Sequence, residues 1–218
     1  MIVAVHQPDL LPYSGFWYKM AKADIFDIKL YDQFTQRGYQ RRVLMRGTWA
    51  SIPVRSHSSR KSILDVRIDA DMARRTLIDN ITGRYRGADG WAQYGSLLVE
   101  MISDVTTNRL WQFNLELIIR LRDLLQITTP LAIASKPSGR RSEGIVEGLS
   151  NFMNPTYISG VGGRAYMGGC EKFEDAGIPV IWSRHRPVSP ESVITILMDY
   201  EDPLGVIMAE GDHACGSS

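Results

Sequence analysis

The chain has 218 residues, 44% of them hydrophobic and 22% charged, with a formal net charge of +1 and a mean hydropathy of -0.15. These values fit a globular protein long enough to bury its own core, and they exclude collagen, coiled coil and wholesale disorder. Two cysteines, Cys170 and Cys215, are too few for a disulfide framework or a cysteine-rich zinc site, and no stretch reaches the roughly 20 apolar residues of a bilayer span.

The opening Ile2-Val3-Ala4-Val5 is the continuous apolar run of a buried strand, and it stops at His6-Gln7-Pro8. Pro8 and Pro12 delay any helix to Tyr13, after which Phe16, Met20 and Ala23 share one helical face. Ile25 to Ile28 follows as a second strand, so strand, helix and strand fall within about thirty residues, the signature of a parallel βαβ unit. No basic leader precedes the first strand, and a cytoplasmic location is expected.

From Tyr39 to Ile68 short β-like runs, Arg42 to Met45, Trp49 to Val54 and Val66 to Ile68, predict an antiparallel excursion with a turn at Arg46-Gly47-Thr48. Ala73, Leu77, Ile81 and Tyr85 then recur every fourth residue as the buried stripe of a helix, and two more helices are expected at about 93–105 and 109–126. The last third returns to alternation. Strands are predicted at Pro130 to Ala134, Thr156 to Ser159 and Ile178 to Trp182, and helices at Ile145 to Phe152 and near Cys170 to Ala176, with Gly177 as the last helix stop. The expected architecture is one α/β domain over residues 1–208, with a mainly parallel sheet flanked by helices, the small antiparallel excursion and a central helical block at about 71–127. Residues 209–218 read as a flexible tail.

Charge is unevenly spread. Arg37 to Arg86 holds twelve Lys or Arg against four Asp, whereas Glu191 to Ser218 holds six acids and no Lys or Arg. A basic middle suits an anionic partner such as a nucleotide, a thioester carrier or RNA. Tyr39, Trp49 and Tyr85 interleave with those arginines and could stack bases, but ordinary aromatic burial assigns them to the core.

Chemistry concentrates where strands end. His6 follows the first strand and can serve as base or proton donor, and Gln7 can hold a polar group through both donor and acceptor. Asp32 and Gln33 follow the second strand and should reach the same sheet edge, because parallel strands end together. Gly160-Val161-Gly162-Gly163-Arg164 lies between an expected strand and helix, where backbone amides can face an anion and Arg164 can clamp it. His6, His57, His185 and His213 show no metal-binding spacing, so no metal and no cofactor is assigned.

Together these segments form a resemblance. His6-Gln7-Pro8-Asp9-Leu10-Leu11-Pro12-Tyr13-Ser14-Gly15-Phe16, with Lys19 to Asp24, resembles the N-terminal signature of the WbqC-like family. Asp32-Gln33-Phe34, Tyr39-Gln40 before Arg42, and Trp49 through Pro53-Val54 add to it, and Tyr157 through Tyr166 is similar to the family's Tyr-Leu-Ser-Gly-Pro-Gly-Gly segment. Phe173 and Ala176-Gly177-Ile178 continue the match. The resemblance implies a biosynthetic protein of the kind associated with polysaccharide gene clusters, with His6, Gln7 and Asp32 as catalytic residues. It implies Gln33, Arg42, Gly162, Gly163, Arg164, Tyr166 and His185 as substrate-binding residues around the same pocket. Val161 departs from the family's Pro, Val43 and Leu44 from a polar-basic pair, and Thr195 from an Asp.

The function expected on these grounds is transfer of an acyl or aminoacyl group to an amine of a sugar or small metabolite. The donor would bear phosphate: a thioester, a nucleotide sugar or an aminoacyl-tRNA. Two alternatives stand beside it. One is adenylyl transfer, although Phe16 stands where a His-x-Gly-His loop has its second histidine. The other is a non-catalytic ligand- or RNA-binding role. Cys170 as a covalent nucleophile is a variant of the first reading.

Overall fold

The computed structural model describes residues 1–55, 61–139, 141–160, 163, 170–183, 185–187 and 189–212. Its centre is a five-stranded sheet in the order β5-β2-β1-β6-β7, with every neighbouring pair parallel. The strands are β1 (Ile2–His6), β2 (Ile25–Ile28), β5 (Leu131–Ile133), β6 (Thr156–Gly160) and β7 (Val180–Ser183). A separate hairpin of β3 (Arg42–Met45) and β4 (Thr48–Ser51) forms the antiparallel excursion.

Helices cover both sheet faces, and the alternation of side chains along each strand decides which residue meets which layer. Ala4, Phe26, Ile28 and Ile158 point to the larger core, which they share with α1 (Ser14–Lys22), α2 (Ala70–Tyr85), α3 (Trp91–Ser103) and α4 (Leu110–Leu124). Val3 and Tyr157 point the other way, into a smaller core with α5 (Ser142–Leu149) and α6 (Glu171–Asp175). The expected stripe on α2 is fully buried, and Asp69 caps this helix by accepting a hydrogen bond from the Met72 amide at 3.0 Å.

Gly177 ends α6 as expected. Its φ is 67°, its amide reaches Glu174 O, and the following Ile178 amide reaches Phe173 O. Nothing crowds the position where a Cβ would sit. Gly177→Ala should therefore cost about 1 kcal/mol through backbone conformation alone, read as a lower urea midpoint with unchanged slope.

Two helices beyond residue 190 had no counterpart in the sequence expectation. Val193–Asp199 forms α7, and its residues from Val193 to Met198 are all buried, so the segment has no polar face to reveal a helical period. Pro203–Asp212 forms α8, with Pro at its first position, where a missing N–H costs nothing, and Asp202 accepting from the Gly205 amide at 2.9 Å. Helix thus continues to Asp212, four residues into the segment expected as a tail. Thr195, the departure from the family pattern, is used structurally: its hydroxyl donates to Glu191 at 2.6 Å and pairs with Tyr85 Oη at 2.7 Å. Burial pushes the Tyr85 phenol up to about 12, so it keeps the proton it donates to Thr195.

From β1 the chain moves outward through β2 to β5, then returns to the other side of β1 for β6 and β7. The reversal lies between β1 and β6, and ligands of open α/β sheets collect outside the carboxyl ends of strands near such a point. His6 and Gly160 end those two strands.

Candidate functional site

Five polar side chains join the carboxyl ends of β1 and β2. Gln7, just past β1, donates from Nε2 to Asp32 Oδ2 at 2.6 Å. Gln40 donates from its own Nε2 to Gln7 Oε1 at 2.6 Å and to Asp9 Oδ1 at 2.9 Å. Lys29, the first residue after β2, reaches Asp32 Oδ1 at 2.9 Å and completes the chain of contacts. The geometry follows from the parallel register, which sets His6 beside Ile28 and so brings the two following loops together. Beneath the network Asn114 of α4, fully buried, donates to Pro8 O at 2.8 Å and Gln40 O at 2.7 Å, fixing both loops on the helical layer.

His6 stands beside this network with its side chain 22% exposed. Phe16 meets its ring edge-on at 5.0 Å, and Phe26 stacks at 6.4 Å. Its Nδ1 lies 2.9 Å from Gln7 O, a contact that requires the proton on Nδ1 and leaves Nε2 as a free acceptor. Burial, helped by the Lys19 charge, lowers the imidazole to about 3, so it is neutral throughout the physiological range. Asp9 Oδ2 lies 3.7 Å from Nδ1. Burial raises the Asp9 carboxyl to about 7, against the opposing pull of Gln40 and Lys19. Lys19 is itself lowered to about 8 by burial, against the attraction of Asp9.

Next to Asp32 opens a cleft of about 1020 Å³, bordered by Lys29, Gln33, Asp65, Lys136 and Arg141. It occupies the carboxyl ends of β2 and β5, floored by the segment that leads from β5 into α5. Lys136 and Arg141 are exposed and form no side-chain hydrogen bond or ion pair with other described residues. Arg141 enters α5 with φ 53° and ψ -124°, a backbone that an L-residue adopts at a cost of about 1–3 kcal/mol.

The model of the WbqC-like protein family matches residues 7–191, most of the chain and all of this network. The chain belongs to the WbqC-like protein family. No curated protein and no solved structure matches it.

The residues expected around one pocket divide into three groups in this family member. His6, Gln7 and Asp32 converge as expected, and Gln33 lines the adjoining cleft. Arg42 and His185 stand apart from the network. The Arg42 guanidinium lies 4.1 Å over the Trp49 ring, and His185, after β7, packs against Tyr18 at 5.2 Å and Tyr13 at 6.4 Å. Gly163 is described only as buried, and Gly162, Arg164 and Tyr166 lie outside the described residues, as do His57, His213 and Cys215. Cys170 is a free thiol at the start of the five-residue α6.

Sequence reasoning did not place Asp9, Lys19, Lys29, Gln40, Asn114, Lys136 or Arg141 at the site. The available signal was a polar residue within an apolar helical face: Lys19 beside Phe16 and Met20, and Asn114 beside Phe113, Leu117 and Ile118. The assignment of Tyr39 and Trp49 to the core is corrected. They are 54% and 41% exposed, because the small β3–β4 hairpin has an open face, whereas Tyr85 is fully buried. Among the described residues no group of His, Cys, Asp and Glu is arranged to hold a metal, and no helix is long and apolar enough to cross a membrane.

Proposed function

We propose that the protein is a biosynthetic group transferase that moves an acyl or aminoacyl group from a phosphate-bearing donor to an amine. The observation that carries this reading is the cleft: two cations without a described partner, Lys136 and Arg141, border it beside the Gln7–Asp32 pair. Such cations suit the phosphates of a donor, and the arginine's strained backbone is the kind of cost that folds tolerate at binding positions. Lys29 supplies a third positive charge, partly neutralised by Asp32.

In this scheme Gln7 and Asp32 align the acceptor, and the free Nε2 of neutral His6 accepts a hydrogen bond from the attacking amine. The new C–N bond forms as the bond from the acyl carbon to the donor breaks, and the donor leaves with that electron pair. The amine's proton goes to His6, and the Asp9 carboxylate 3.7 Å from Nδ1 stabilises the imidazolium that forms. Family membership agrees with a place in biosynthesis.

A thermal-shift panel of ATP, coenzyme A thioesters, nucleotide sugars and aminoacyl-tRNA tests the reading. At a hundredfold excess over Kd a true donor should raise Tm by about 5 °C or more. The response should vanish in Lys136→Ala/Arg141→Gly, a variant that removes both cations while relieving the backbone at residue 141. Response to ATP alone would favour adenylyl transfer, and a full response retained in the double variant would refute the placement of the donor.

A further inference from the structure

The outer face of the β3–β4 hairpin carries groups that the site at β1 does not use. Alternate residues of each strand turn inward, so Val43, Met45 and Ala50 are buried while Arg42, Leu44, Trp49 and Ser51 share the opposite face. Tyr39, just before β3, joins them with its ring centroid 5.8 Å from that of Trp49 and its plane tilted by 50°. The Arg42 guanidinium lies 4.1 Å over the Trp49 ring, and its Nε is buried without a hydrogen-bond partner among the described residues.

Two large aromatic residues left exposed side by side are a departure from ordinary burial, and such patches mark contact surfaces. The charge around them is one-sided. Between Asp32 and Asp65 the chain has no Asp or Glu, against seven Lys or Arg. Arg46 is neutralised by Asp199. Arg41 bonds only neutral acceptors, Ile52 O at 3.1 Å and Gln36 Oε1 at 2.8 Å, and neither the exposed Arg37 nor Arg42 forms an ion pair among the described residues. A neutral sugar could stack on the rings but would leave these guanidinium groups unmatched, and an acidic peptide would leave the rings unmatched. A ligand that is planar and anionic at once fits both. The face is open and not a pocket, which favours a strand that repeats base and phosphate along it over a single nucleotide.

We propose that this face binds single-stranded RNA, with unpaired bases stacked on Tyr39 and Trp49 and phosphates held by Arg37, Arg41 and Arg42. RNA is the nucleic acid that ordinarily presents unpaired bases to proteins. At 5.8 Å the two rings already touch, so a base stacks on the outer side of one and not between them. Arg42 is ordered over Trp49 before the strand arrives, which reduces the freedom it loses on meeting a phosphate. The proposal goes beyond the transfer reaction: it uses no residue of the cleft and holds whatever the donor is.

The experiment follows the anisotropy of a fluorescein-labelled, mixed-sequence single-stranded RNA of about 12 nucleotides titrated with the full chain, beside the matching duplex and labelled poly-glutamate. The single strand should bind most tightly, and its affinity should fall with salt at a logarithmic slope of about -2, as for three neutralised phosphates. Trp49→Ala and Tyr39→Ala should each weaken it about tenfold at unchanged slope, because a ring supplies stacking and no charge, whereas Trp49→Phe should keep most of the affinity. Arg42→Gln should instead reduce the slope by about 0.7. These side chains lie on the open face, so the variants should melt within about 2 °C of wild type. Lys136→Ala/Arg141→Gly should bind RNA as wild type does, so that failure of the donor reading and failure of this one are separate results. Absence of single-strand binding at low salt, equal or tighter binding of the duplex or of poly-glutamate, or undiminished affinity in Tyr39→Ala/Trp49→Ala would each overturn the proposal.

Discussion

Asn114→Ala should destabilise the protein by about 4 kcal/mol and abolish ligand responses at the His6 site even where the variant remains folded. The amide of Asn114 is the shared donor for two buried carbonyls, Pro8 O at 2.8 Å and Gln40 O at 2.7 Å. Leaving a buried carbonyl without its donor costs about 1–3 kcal/mol, and here two are orphaned at once, with a small cavity added. The functional loss has a separate cause. Pro8 lies between Gln7 and Asp9, and Gln40 bonds both of those residues, so one side chain of α4 sets the spacing of the whole network. Urea unfolding of Asn114→Ala and Asn114→Leu distinguishes the contributions. Leucine restores the volume but not the donors, so it should recover only the cavity part; a leucine variant as stable as wild type would show that the hydrogen bonds are not what holds these loops.

The parts of this molecule that were legible in the sequence share one physical property: their signal is local. Ile2 to Val5 and Ile25 to Ile28 announce strands by composition, and the short helix between them makes the pair parallel. Parallel pairing then brings His6, Gln7 and Asp32 to one edge, where Gln7 and Asp32 meet at 2.6 Å. The unread parts depend on distant partners. Lys19 and Asn114 look like interruptions of apolar faces until Asp9, Pro8 and Gln40 are placed against them. Lys136 and Arg141 join the cleft only because the chain leaves β5 and enters α5 beside the loop that follows β2. Arg42, placed in the pocket by resemblance, lies on Trp49 because β3 and β4 form a ribbon of their own.

The same buried charges govern how stability should respond to pH, and Asp9→Asn should change that response strongly. His6 is lowered to about 3 in the folded chain from 6.5, so the unfolded chain binds more protons between those values and stability rises with pH across that window. Asp9 is raised to about 7 from 3.8, so the folded chain binds more protons between 3.8 and 7 and stability falls with pH there. Between about pH 4 and 6.5 the two slopes oppose and nearly cancel in wild type. Asn at position 9 keeps an oxygen for Gln40 but cannot ionise, which exposes the His6 slope. Relative to wild type, Asp9→Asn should gain about 1.4 kcal/mol per pH unit over this window, a few kcal/mol by pH 7. Asp27, raised by burial to about 6, contributes equally to both proteins and drops out of the difference. Above pH 7 the gain should stop growing with Asp9 already ionised, and Lys19, which loses its proton near 8, then adds stability to both chains. Denaturant melts at half-unit steps from pH 4.5 to 8 measure the difference. A constant offset between the two proteins would mean that Asp9 ionises normally, and that the acid beside His6 is not the group that keeps a proton at neutrality.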